Sequence, residues 1–291
     1  MSLRAVATIL SCSLLALSSP LTAQVRTDST KKAVADSAFL ADVERSQTPY
    51  KVLHAEPLFI DLIRDLGARK GESEWNVGLG MTDRLAYDEY LMLVEYEWAP
   101  IDRLGLEIEV PVTMYSALPG RASIPRNRVE GLKLAAQHTV AVSPVRQASL
   151  ALGYLHTFVT AVDPRGDDAG RGAGLTLNPF VVGAKRWGTH THTLAYVGTK
   201  FRRNGSSFSA PAHEVNTSMH WMITGTRNFV GVEVNSEVER RELTAVVRPQ
   251  MRLGIADNLL VGIAVGVPLN RDRERLGFFL RMIYEPGSRH R

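Results

Sequence analysis

Between Trp75 and Tyr284 apolar and polar residues alternate in run after run. In Tyr87–Trp98, one set of alternate positions holds Tyr90, Met92, Val94, Tyr96 and Trp98. The other holds Glu89, Glu95 and Glu97, together with Leu91 and Leu93. In Leu104–Met114, Leu106, Ile108, Val110 and Val112 alternate with Glu107, Glu109 and Thr113. Successive side chains of a strand point to opposite faces, so each run has an apolar face with aromatic ends and a face bearing carboxylates. The pattern recurs about twelve times: Glu74–Met81, Tyr87–Trp98, Leu104–Tyr115, Arg128–Val142, Gln147–Thr160, Gly174–Arg186, Thr191–Phe201, Glu214–Thr224, Phe229–Glu237, Leu243–Ile255, Leu259–Val267 and Leu276–Tyr284. Most runs reach the ~9–11 residues that a tilted strand needs to cross a bilayer.

The connections also alternate. Ala99–Arg103, Ser143–Arg146, Trp187–His190, Gly225–Asn228 and Ala256–Asn258 are short, whereas Ser116–Asn127, Ala161–Ala173, Arg202–His213 and Pro268–Arg275 are longer and polar. Thr82–Ala86 and Val238–Glu242 belong to the second set but are modest in length. A soluble sandwich has no reason to keep that parity; a membrane barrel with short periplasmic turns and longer surface loops does. The expected fold is therefore all-β, an antiparallel transmembrane barrel of about 12 strands over residues 73–285. Trp75, Tyr87, Trp98, Tyr115, Trp221 and Tyr284 lie near run ends, where amphipathic rings suit the membrane interfaces. Gly78, Gly80, Gly153, Gly183, Gly262 and Gly266 fall inside runs and read as points where a narrow barrel coils tightly.

Residues 1–23 have the form of a secretory leader, with Arg4, an apolar stretch Ala5–Leu17 and Leu21-Thr22-Ala23 before the cut. Such a leader implies secretion across the inner membrane, and the barrel then implies the bacterial outer membrane. Cleavage there removes Cys12, the single cysteine, and with it disulfides and thiol chemistry. Residues 24–51 are polar and read as a flexible periplasmic segment, with a weak helical tendency over Lys31–Arg45. Residues 52–72 are expected to hold a short amphipathic periplasmic helix. Pro57 suits its first turn, Leu58, Phe59, Ile60, Leu62, Ile63 and Leu66 form its apolar side, and Gly67 stops it. That helix would close the barrel mouth, plug the lumen or lie on the membrane surface. Residues 286–291 form a C-terminal tail.

Composition narrows the classes. Of 291 residues, 45% are hydrophobic and 22% charged. Beyond the leader, no apolar run approaches the ~18 residues of a membrane helix. The net charge of +4, with basic residues scattered among acidic ones, argues against a nucleic-acid partner.

Catalytic chemistry has few candidates. Ser218 and His220 share a strand face, which this parity turns toward the lumen, whereas a lipid-acting dyad has to reach the hydrophobic side. His190 and His192 form a His-x-His pair without a third ligand, and His54 with Glu56 has no further ligands. Gly166–Gly174 lacks the spaced ligands of a calcium loop. No catalytic set, metal site or cofactor is assigned.

The lumen carries the informative charges. Its candidate lining residues are Glu89, Glu95, Glu97, Glu107, Glu109, Lys133, His220, Glu233, Arg248, Arg252 and Arg281. If acids and bases pair, the barrel is closed by salt bridges; if they stay apart, they set a field across a water-filled pore.

The leader, the repeated hairpins over Trp75–Tyr284 and the aromatic last strand Leu276–Tyr284 together resemble Gram-negative outer-membrane barrels of the narrow transporter type. The barrel family associated with phenol degradation is broadly similar. The last strand resembles the signal read by the barrel insertion machinery, although Glu285–Arg291 follow it. The resemblance is architectural and implies a narrow channel for small solutes, surrounded by outer-membrane lipid and lipopolysaccharide. The alternatives are a closed structural or surface-interaction barrel and, second, a lipid-acting enzyme.

Overall fold

The computed structural model describes residues 22–45, 48–60, 62–117, 124–159, 174–204 and 207–286. The leader expected over residues 1–23 lies outside them except for its last two residues, as do the loop 161–173 and the tail beyond 286.

Twelve strands make the wall: β1 (Ser73–Asp83), β2 (Tyr87–Ile101), β3 (Leu104–Ala117), β4 (Gly131–Ser143), β5 (Ala148–Val159), β6 (Gly174–Trp187), β7 (Thr191–Asn204), β8 (Ala212–Met222), β9 (Phe229–Glu239), β10 (Glu242–Ala256), β11 (Leu259–Pro268) and β12 (Gly277–Tyr284). Each pairs antiparallel with the next, and β12 returns to β1 from Trp75↔Tyr284 to Thr82↔Gly277, which closes the ring. Closure leaves no sheet edge and satisfies the backbone within the wall, which a bilayer core requires. Two-residue strands, Arg128–Val129 and Ser207–Phe208, extend β3 and β7 at the long-loop end.

The period of two puts the apolar set outside. Val94, Val197, Val215, Met219 and Trp221 are all half exposed or more, while their neighbours Glu95, Ser218 and His220 are buried inside. Such a belt is costly in water and stable in lipid. At the short-turn end Trp75, Trp98, Trp187, Trp221 and Tyr284 form an aromatic ring, with Trp75 packed on Tyr96 at 4.6 Å. Tyr87 and Tyr115 meet edge to face at the other end. Among the described residues no helix is long and apolar enough to cross a membrane.

One helix precedes the barrel, as expected, but its place differs. It is α1, Thr22–Arg45, in the stretch read as flexible. Its second half is held by tertiary contacts that sequence alone does not display. Leu40 packs with Leu53, Met222 and Phe229, and Glu44 pairs with Arg186. Residues 57–66, expected as a helix, are irregular where described, with Arg64 at a φ of 60°. The reason lies in the two walls they serve. Ile60, Leu62, Ile63 and Leu66 pack against Ala135, Leu155, Phe180, Val182 and Tyr196 of β4–β7. Leu58 instead joins Leu93, Ala264 and Phe279 on the other side. A helix with one apolar face cannot fill both contacts; an extended path can.

Candidate functional site

The site is the lumen and the chain that threads it. Residues 51–69 run through the short-turn half of the barrel, and most are buried. Backbone groups without helical partners must find others, and the wall supplies them. Ala55 N donates to His192 Nδ1 at 3.1 Å, Leu58 N to Gln250 Oε1 at 2.9 Å and Phe59 N to Glu233 Oε2 at 3.1 Å. Arg64 N donates to Glu97, and Gln137 Nε2 donates to the carbonyls of Ile63 and Asp65, both at 3.3 Å.

Charges tie the same segment down. Arg64 pairs with Glu74 of β1, and Arg252 of β10 pairs with Glu56. Lys51 pairs with Asp65 within the plug. Burial pushes Asp65 up, but Lys51 and Arg64 outweigh it and hold the carboxyl below its ordinary range. His54 donates to or accepts from Ser149 Oγ at 2.9 Å. Burial, with the Arg186 charge nearby, lowers the His54 imidazole to about 3, so it sits neutral in the wall contact.

The predicted lining residues separate into groups. Glu95, Glu97, Glu107 and Glu109 are all buried, and their oxygens gather on the inner face of β2 and β3. Glu95, Glu107 and Glu109 bring one oxygen each within 4.8 Å of the others. Countercharge comes from the wall: Lys133 lies 3.0 Å from Glu107 and 2.7 Å from Glu109, and Arg281 bonds Glu95. Glu89 stands apart at the long-loop end, 2.9 Å from Arg84. Glu233 is fully buried and accepts from Asn235, Gln250 and Phe59 N. His220 and Ser218 are buried inside, 3% and 6% exposed, away from the lipid-facing side. The bases of β10 and β12 therefore do not face the acids across one open space: Arg281 meets the wall, Arg252 meets the plug, and Arg248 bonds Asn235.

Above the plug tip, toward the long loops, lies a cavity of about 310 Å³. Phe59 forms its floor, and Lys200, Glu214, Asn235, Glu237 and Arg248 are among its walls. Lys200 bridges Glu214 and Glu237, and Arg202 continues the chain to Glu237 at 3.1 Å and Glu239 at 3.0 Å.

Lys51, Glu56, Phe59, Arg64 and Asp65 were not among the predicted site residues. A signal was present, because five charges, at Lys51, Glu56, Asp61, Arg64 and Asp65, interrupt an otherwise apolar stretch. A surface helix would keep such charges on one solvated side, but here most of them have partners on a lumen wall or within the plug.

Comparison with known proteins adds three findings. The profile of the HAEPLYID-like family matches residues 50–285, nearly all of the plug and barrel. Residues 54–61 read His-Ala-Glu-Pro-Leu-Phe-Ile-Asp, differing from the letters of that name only by Phe59 in place of Tyr. Among solved structures, an outer membrane channel from Pseudomonas putida F1 is similar with a TM-score of 0.60 at 12% identity, over 76% of this chain and 98% of that one. The KdgM porin is similar with a TM-score of 0.51 at 12% identity, over 72% of this chain and 98% of that one. Both likenesses are of fold. No curated protein sequence matches the chain.

Proposed function

The chain belongs to the HAEPLYID-like family, and from that premise we propose that it is an outer-membrane channel for small solutes, held shut by its own N-terminal plug. The observation that carries this reading is the passage of residues 51–69 through the lumen, bonded to β1, β2, β4, β5, β7, β9 and β10. A purely structural barrel can fill its lumen with wall side chains; this one fills half of it with a separate strand of chain. The cavity beyond the plug is polar and charged, as a solute vestibule is. The short turns and α1 face the periplasm in this reading, and the long loops face outward. The two fold neighbours, an outer membrane channel and a porin, support it.

The test is electrical. Full-length protein in planar bilayers is expected to conduct rarely, and a variant lacking residues 54–66 to conduct steadily, with ion selectivity altered by Glu107→Gln plus Glu109→Gln. Heat-modifiable gel mobility checks that the deletion variant is a barrel. A folded deletion variant without conductance refutes the channel and leaves a closed structural barrel.

A further inference from the structure

Among the described residues, Arg248 is the charged group lining the vestibule that forms no salt bridge. Among the described residues no carboxylate lies within salt-bridge distance of it, whereas Lys200, Arg202, Glu214, Glu237 and Glu239 form a mutually paired chain. The nearby carboxylate of Glu233 is already used by Phe59 N, Gln250 and Asn235. Arg248 is only half buried, lines the cavity and lies 3.9 Å above the Phe59 ring centre. Its guanidinium also donates to Asn235 Oδ1.

These contacts make a continuous path from cavity to plug. Arg248 holds Asn235, Asn235 donates to Glu233 at 2.7 Å, and Glu233 accepts the Phe59 backbone N–H. Gln250 spans the same carboxylate and the Leu58 N–H. An arginine offers five donors in a planar fork that fits a carboxylate, and that pairing is stronger than a bond to a neutral amide. An anion in the cavity would therefore draw the guanidinium from Asn235 and from the ring of Phe59.

We propose that Arg248 is the binding site for the carboxylate of a small monoanionic solute entering from the long-loop end, and that its occupation loosens the plug tip at Leu58–Phe59. The cavity volume is at the low end for small-molecule pockets, which limits the solute to a small one. The paired state of Glu214 and Glu237 leaves no free acid for an ammonium group, so an anion is preferred over a cation or a zwitterion. The loosening step rests on the channel reading above; the anion site does not.

The experiment titrates full-length protein in detergent with butyrate, butyramide and butylammonium by calorimetry, then repeats bilayer recordings with butyrate on the long-loop side. Butyrate is expected to bind, with butyramide and butylammonium at least tenfold weaker. Arg248→Gln should weaken butyrate at least tenfold. Phe59→Leu, which removes the competing ring, should tighten it severalfold and serves if Arg248→Gln fails to fold. Butyrate should raise opening frequency in the wild type and not in Arg248→Gln. Equal binding of butyramide, or unchanged butyrate affinity in both variants, overturns the site. Binding without any change in opening overturns the coupling. Because the titration needs no current, a barrel that never conducts sinks the channel reading alone.

Discussion

Gly105 of β3 faces the lumen where the plug backbone passes close to the wall. A methyl group there would overlap the Ile63 carbonyl oxygen and stand 3.0 Å from both the Ile63 carbonyl carbon and the Arg64 Cβ. The obstruction is backbone rather than the end of a flexible side chain, so Gly105→Ala cannot be absorbed by a rotamer change. Overpacking of this kind costs about 1–3 kcal/mol. Moving the Ile63 carbonyl also sacrifices its bond from Gln137 Nε2, about another 1 kcal/mol. The wall gains slightly, since Ala loses less backbone entropy than Gly on folding. The strain thus falls on the docked plug and not on the barrel. A total of about 2–4 kcal/mol shifts the balance between docked and released plug by roughly 30- to 900-fold. Single-channel recording should show an open probability raised by about that factor, with heat-modifiable mobility unchanged. A folded Gly105→Ala barrel with wild-type open probability would refute the claim that residues 51–69 are the closure.

Three further outcomes follow from the wall, the acid cluster and the plug histidine. Val197 is 54% exposed at mid-strand on the apolar face, so Val197→Arg should cost about 2–4 kcal/mol of folding into lipid vesicles; an unchanged urea midpoint would mean that this face does not meet lipid. Arg281→Met removes the guanidinium from Glu95, buried at 1% exposure and left with Asn76 as a donor, and should cost about 3–5 kcal/mol. Adding Glu95→Gln should restore most of that loss, and no recovery in the double variant would show that the pair is not the cause. His54 is held near 3 when docked and returns to about 6.5 when released. The released state then binds more protons between those values, so docking is fully favoured above about 6.5 and weakens as pH falls. Opening should rise as pH falls below about 6.5 towards the docked value of His54. His54→Asn should flatten that slope, and an equal slope in the variant would assign it to another group.

The wall was legible in the sequence because one physical constraint acts on every strand alike. Lipid outside and polar lumen inside force a period of two, so all twelve runs fall within a few residues of the observed strands. The inward direction of Glu95, Glu97, Glu107 and Glu109 was legible for the same reason. Their partners were not, because they depend on closure. Arg281 reaches Glu95 across β1 from 186 residues away, from a position that pairs in register with Gly78. The plug misled by its spacing, since apolar residues serving two opposite walls imitate the periodicity of one helical face. Gly262 also gives Leu58 room, a role the sequence did not display, because an added Cβ would collide with its side chain.

The mixture of forces on the plug bears on how it could leave. Leu58, Ile60, Ile63 and Leu66 are each nearly fully buried, and full burial of such side chains contributes about 1.5–3 kcal/mol each. Releasing them into water alone would be prohibitive. The ion pairs Arg64–Glu74 and Arg252–Glu56 add little on balance, because desolvation offsets most of their attraction. They fix register, and either one broken singly leaves a buried charge. Stepwise withdrawal of the whole segment is therefore blocked from the Arg64 side, where apolar packing and ion pairs coincide. Phe59, at the tip, is different: it is more than one-third exposed and contacts the cavity. Loosening should begin there, which predicts faster amide hydrogen exchange at Phe59 than at Arg64. Slower exchange at Phe59 would place the weak end of the plug elsewhere.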